Sequence, residues 1–357
     1  MQQSKRINEY TVLRVFAILL VLVSHISYYK VGNAFGGVNI LALAPSGTSF
    51  KWYYLIDKFR YVIYLFHMPL FMAISGALFA LQTKKGRWSG FGSFAEAKWQ
   101  RLMIPYLVFT LLYLVPLKYL SGYFGQANFL MAEGSQLTLL GNSHLWYLYT
   151  LFVVALVAYF LVPRMQVWYL LPLWGIHLAS AYVGLSLISL PMEFLLWYML
   201  GAMFESYRET LTSYFRTKRA VFLTIWLTAF IVCSLLSLYV GRFGIPALQR
   251  LVNDLAAVAG MGLTYLLAES LAQQKGFLES SFVKAVLLNG LGIYIFSDPL
   301  NYVLLRLGQA LLGPAGMLSL GGLVLMMILR LVITGLAAYY LTRLFVRLWP
   351  NRASWVR

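Results

Sequence analysis

The stretch LRVFAILLVLVSHISYY, residues 13–29, decides the fold. It is almost all Leu, Val, Ile and Ala, the composition of a membrane span. Yet Arg14 and His25 sit inside it. An Arg in mid-span costs about 2.5–3.5 kcal/mol on insertion scales, so both residues call for a reason. Eleven positions apart, they fall on one helix face, separated by about 16 Å along the axis. Taken singly, Arg14 is explained by snorkelling to the near surface and His25 by an ordinary buried hydrogen bond. The shared face favours a polar wall running through the membrane.

Working outward, the 357-residue chain is 61% hydrophobic and 11% charged. Its mean hydropathy is +0.74. Soluble domains carry about 25% charged residues, so this composition predicts an integral membrane protein. No short signal peptide with a small-residue cleavage site precedes the first apolar run, which is expected to remain as a span. The single cysteine, Cys233, excludes an intrachain disulfide and a Cys-based metal site.

Apolar windows of about 20 residues read as helices, because a spanning segment must satisfy its own backbone in lipid. They fall at 9–29, 61–81, 102–121, 145–163, 167–187, 190–207, 220–240, 251–271, 283–305 and 318–341. The expectation is an all-α polytopic protein of about ten transmembrane helices, one domain over residues 1–357. The net charge of +17 does not indicate nucleic acid, since the cations fall mostly on alternate loops. With the N-terminus inside, eighteen of the 28 basic residues are cytoplasmic and eight, Lys118 among them, are external. That bias predicts both termini in the cytoplasm. The aromatic segment KWYYLIDKFR, residues 51–60, reads as an amphipathic helix in the outer interface.

Chemistry-bearing residues then sort by depth. His25, His67 in YLFHMPLF and Asp298 in YIFSDPL all fall in the outer part of their spans. Pro69 and Pro299 follow two of them and free the carbonyls of Leu65 and Ile295 from helical bonds. Asn142, His144 and Trp146 in GNSHLWYLY and Glu193 in PMEF complete the outer polar layer as candidate substrate contacts. Glu193 and Asp254 also read as residues favouring helix N-termini. His177 has no visible partner and reads as structural. Arg14, Lys98, Arg101 and Arg330 form a cationic inner layer suited to phosphates. Ordinary positive-inside bias explains most inner charge but not Arg330, which lies within a span. There is no Gly-rich nucleotide loop and no His-x-x-x-His or Glu-x-x-His metal arrangement, so no metal is expected. The layout suits a phosphorylated cytoplasmic donor and an acceptor reached from outside. A rival reading is a transporter or flippase for a sugar or lipid-linked glycan, with the buried charges as a proton relay.

The ordered motifs resemble those of the membrane-bound acyltransferase 3 family. They are Arg14 and His25 with ten residues between them in the first helix, FMAISG at 71–76, KWQRLMIPY at 98–106, LWYL at 145–148 and LWYMLGA at 196–202. The wording FHMPLF is similar to the branch that O-acetylates surface polysaccharides. Many members carry a histidine where Asp298 stands here. The resemblance implies transfer of an acetyl group from acetyl-CoA to a sugar hydroxyl of a surface or exported polysaccharide, across the cytoplasmic (inner) membrane. Arg14, Lys98, Arg101 and Arg330 would then hold the CoA phosphates. His25 would act as the base, with Asp298 or His67 fixing its tautomer. Asn142 would be an oxyanion donor, and an acyl-histidine intermediate is the alternative path.

Overall fold

The computed structural model describes residues 8–33, 35, 37–140 and 143–357, except the side chain of Lys275. Its elements are α1 (Asn8–His25), the two-residue strands β1 (Lys30–Val31) and β2 (Val38–Asn39), α2 (Lys51–Lys84), α3 (Phe91–Leu120), α4 (Phe129–Leu137) and α5 (Trp146–Leu161). Then follow α6 (Leu170–Ala179), α7 (Ser186–Ser206), α8 (Arg208–Thr217), α9 (Arg219–Val240), α10 (Pro246–Ala272), α11 (Ser281–Leu318) and α12 (Leu320–Leu348). The strands pair antiparallel, Lys30 opposite Asn39. Among the described residues, nine helices are long and apolar enough to cross a membrane. The architecture is all-α and polytopic, as the hydropathy predicts.

The predicted span at 167–187 becomes α6, ten residues flanked by 3₁₀ turns at Val167–Tyr169 and Ser180–Tyr182. It is not among the nine helices long and apolar enough to cross a membrane. Arg101 Nη2 donates to the Arg357 carbonyl at 3.0 Å, which sets the third long helix beside the C-terminus.

The segment KWYYLIDKFR is helical but not a separate interfacial helix. It is continuous with the second span in α2, which runs 34 residues through Pro69. At 1.5 Å per residue that is about 51 Å, well beyond the ~30 Å hydrocarbon layer.

In α3, turns of π-helix occupy Trp99–Met103 and Thr110–Leu114. Pro105 and Pro116 follow them and lack the N–H that a regular α-turn needs. Each π turn adds one residue, which rotates every later side chain by about 100°.

The chain separates into two compact units. The first takes the chain up to Ala17, Tyr64–Ala97 and Thr150–Leu287. Within it α2 and α7 meet backbone to backbone. A methyl on Gly76 would lie 1.8 Å from the Tyr198 carbonyl oxygen, and one on Gly201 would lie 1.8 Å from that of Ala73. Small residues permit this approach, and in lipid such packing is what holds helices together. The motifs ISG and LWYMLGA are thus the two sides of one crossing.

Also in this unit, His177 has partners that the sequence did not reveal. Its Nε2 lies 3.0 Å from Asp254 Oδ1, and its Nδ1 lies 2.7 Å from the Glu193 carbonyl. Arg250 joins Glu193 Oε2 at 2.9 Å and Ser180 Oγ at 2.6 Å. This network ties the short α6 to α7 and α10. Glu193 and Asp254 stand well inside helices that begin at Ser186 and Pro246, so neither is an N-terminal residue.

The second unit takes Ile18–Ile63, Lys98–Tyr149 and Leu288–Arg357. One of its cores gathers Tyr29, Ile40, Tyr53, Leu305, Met317, Leu323 and Met326. Outside both units' cores, large apolar side chains such as Leu112, Leu311 and Leu235 remain exposed, as lipid-facing surfaces require.

Candidate active site

His25 is the last residue of α1. Its Nδ1 lies 2.8 Å from the Val21 carbonyl oxygen, one turn back. Only an N–H approaches a carbonyl at that distance, so Nδ1 carries the proton and Nε2 presents its lone pair. The Val21 carbonyl fixes the tautomer, a role the sequence reading gave to Asp298 or His67. Ser24 Oγ lies 3.2 Å from the same nitrogen and donates to the Val21 carbonyl at 2.8 Å.

The end of α1 is itself held. Arg330 of α12 donates from Nη2 to the His25 carbonyl at 3.0 Å and from Nη1 to that of Tyr28 at 3.1 Å. Its Nε donates to Asn301 Oδ1 at 3.2 Å. A helix leaves its last carbonyls without intrahelical donors and carries partial negative charge there, so a guanidinium fork suits both needs. Arg330 thus stands at the His25 end of α1, about 16 Å along the helix from Arg14.

Asp298 lies on α11 with Oδ1 3.8 Å from His25 Nε2, too far for a hydrogen bond and an ion pair only once that nitrogen is protonated. Its Oδ2 pairs with Lys118 Nζ at 2.8 Å. Lys118 is 1% exposed and Asp298 2%. The ammonium also sits 4.6 Å from the ring centroid of Tyr123 and 4.8 Å from that of Tyr302. A buried charge needs a partner, and these two supply each other's. The sequence reading counted Lys118 only as an outer-side cation; the structure pairs it, buried, with Asp298.

His144 occupies the turn before α5. Its Nε2 lies 2.6 Å from the Tyr294 carbonyl, and the Tyr294 hydroxyl donates back to the His144 carbonyl. The proton is therefore on Nε2. The His144 ring meets that of His25 edge-on, centroids 4.9 Å apart. On α11 the Phe296 carbonyl accepts from the Tyr113 hydroxyl at 2.8 Å, so side chains bond the carbonyls on both sides of Ile295.

His25, His144 and Asp298 each offer a ligand-type atom, all within 4.8 Å of one another. Lys118 already neutralises the carboxylate, so a divalent ion would bring two uncompensated charges into a buried site.

The remaining sequence candidates are placed as follows. His67 is buried in the first unit with its ring edge-on to Tyr64, centroids 4.6 Å apart. Arg14, in the same unit, is half-buried. Lys98 is half-buried and Arg101 exposed at the inner end of α3. Trp146 opens α5, half-buried against Tyr147. Glu193 is engaged by Arg250. Asn142 lies outside the described residues.

The nine membrane-capable helices among the described residues make this an integral membrane protein, with His25, His144 and Asp298 gathered at one place in it. Residues 7–343 match the family model described as an acyltransferase domain. The chain belongs to that family, and it is a membrane acyltransferase. Neither the curated proteins nor the solved structures contain a match.

Proposed function

We propose that this acyltransferase moves an acetyl group from acetyl-CoA to a sugar hydroxyl of a surface or exported polysaccharide, at the cytoplasmic (inner) membrane. The observation that carries the reading is the His25 tautomer. Its Nδ1–H is held by the Val21 carbonyl at 2.8 Å, so Nε2 can accept a proton beside Asp298.

In this mechanism the sugar oxygen attacks the thioester carbonyl carbon as its proton passes to His25 Nε2. The imidazolium so formed lies 3.8 Å from Asp298 Oδ1, which stabilises it. The tetrahedral intermediate collapses, the C–S bond breaks, and the sulfur of CoA takes the proton from Nε2. Lys118 keeps Asp298 ionised and in place. His144 stands edge-on to the His25 ring, centroids 4.9 Å apart, as an acceptor contact. Arg14, Lys98 and Arg101 bind the CoA phosphates. Trp146 serves as an acceptor contact.

The test is a purified protein given radiolabelled acetyl-CoA and oligosaccharide fragments. Label should pass to the sugar as an alkali-labile ester, and Arg14→Ala should weaken CoA binding more than sugar binding. Transport of a labelled glycan into vesicles without acetyl-CoA would replace the proposal with a carrier function.

A further inference from the structure

The hydrogen bonds of His177, a residue the transfer chemistry does not use, specify its charge. Nδ1 lies 2.7 Å from the Glu193 carbonyl oxygen, and Nε2 lies 3.0 Å from Asp254 Oδ1. A carbonyl offers only lone pairs, so Nδ1 carries a proton. The second oxygen of Asp254, Oδ2, accepts from Trp174 Nε1 at 3.3 Å, as an ionised carboxylate does. A proton therefore lies between Nε2 and Oδ1 as well. Imidazole is the stronger base, with a pKa of about 6.5 against about 3.9, so this proton stays on the ring. Either neutral tautomer would set lone pair against lone pair across one of the two contacts. His177 is 2% exposed, so water cannot relieve such a clash.

The neighbouring charges agree with an imidazolium. From α10, Arg250 Nη2 donates to Glu193 Oε2 of α7 at 2.9 Å. Its Nη1 donates to Ser180 Oγ at 2.6 Å and to the His177 carbonyl at 3.3 Å. Also from α7, the Trp197 ring meets that of His177 edge-on, centroids 5.9 Å apart. His177, Asp254, Arg250 and Glu193 then hold two positive and two negative charges. Without the imidazolium proton, Asp254 would be left as an uncompensated charge against the ring.

The consequence falls on α6. Of its ten residues, Leu173 and His177 are the buried ones, one turn apart on a single face. Leu171 and Ile176 are exposed. One apolar and one charged side chain thus fasten the helix.

We propose that α6 is a proton-dependent tie: doubly protonated His177 fastens it to α7 and α10, and loss of that proton releases it. A released histidine gives up its proton near pH 6.5, whereas the docked ring keeps it to higher pH. The tie is therefore complete below about pH 6.5 and weakens as pH rises. Opening of α6 sheds one proton in this range, so its equilibrium constant grows about tenfold per pH unit until the docked ring itself titrates.

Amide hydrogen exchange of the full-length protein in lipid nanodiscs reads this opening, once the base-catalysed exchange chemistry is divided out. Between pH 6.5 and 8, protection of the α6 amides is expected to fall about tenfold per pH unit at first in wild type. In His177→Gln, which cannot titrate, protection should be low and independent of pH. A flat wild-type profile, or equal slopes in the two proteins, would overturn the proposal. If His177→Gln does not fold, nitrogen-15 spectra of histidine-labelled wild type and Asp254→Asn decide. One of the four histidines is expected to carry protons on both ring nitrogens at pH 7, and Asp254→Asn should neutralise it. Four singly protonated rings in wild type would overturn the proposal, as would an imidazolium signal that Asp254→Asn leaves unchanged.

Discussion

Lys118 Nζ and Asp298 Oδ2 stand 2.8 Å apart, and both residues are sealed from solvent. Lys118 comes from α3 and Asp298 from α11, so the pair ties two helices at the depth of His25. Removing one partner of such a pair costs about 3–5 kcal/mol, because the other charge is left buried alone. Lys118→Met should therefore lower stability and reduce turnover per folded molecule, as the stranded carboxylate swings onto His25 Nε2. Adding Asp298→Asn removes the stray charge and should recover part of the turnover. A single variant with normal turnover per folded molecule would make the pair purely structural.

His25→Ala removes the proton acceptor without touching the Arg330 contact, which uses the His25 backbone carbonyl. Transfer should fall by about a hundred- to ten-thousand-fold, the usual range for a general base. Binding of CoA, measured by calorimetry, should persist. Retained turnover would remove the base assignment.

Arg330→Met takes the donors from the carbonyls of His25 and Tyr28 and from Asn301. Each hydrogen bond to a charged group is worth about 1.5–3 kcal/mol, so the melting temperature should drop along with turnover. Lysine lacks the planar fork and should rescue poorly. Affinity for CoA should be unchanged, and a selective loss of it would return Arg330 to the phosphate site.

Gly76→Leu places a side chain where the Tyr198 carbonyl leaves no room. Membrane-inserted protein should still accumulate, since hydropathy is unaltered, but without a cooperative melting transition. Normal melting would show that α2 and α7 need not approach so closely.

His177→Ala breaks the contacts to Asp254 and the Glu193 carbonyl. The α6 tie should loosen and thermal stability fall, with turnover per folded molecule near wild type. A large loss of turnover at unchanged stability would move this network into the acceptor site.

Hydropathy and charge are local properties, so the sequence by itself determined that the chain spans the membrane. The same local record supplied the ordered motifs of the acyltransferase family and the polar residues His25, His144 and Asp298. The tertiary structure alone decided which partners those residues take. Arg330 bonds the last carbonyls of the helix that bears His25, a contact between positions 305 residues apart that no local pattern records. Lys118 counted only as an outer-side cation, and the fold pairs it, buried, with Asp298. The tautomer of His25 came from a backbone carbonyl, which no residue name records. Contacts between distant segments depend on helix rotation and crossing, and one inserted residue in a turn changes both.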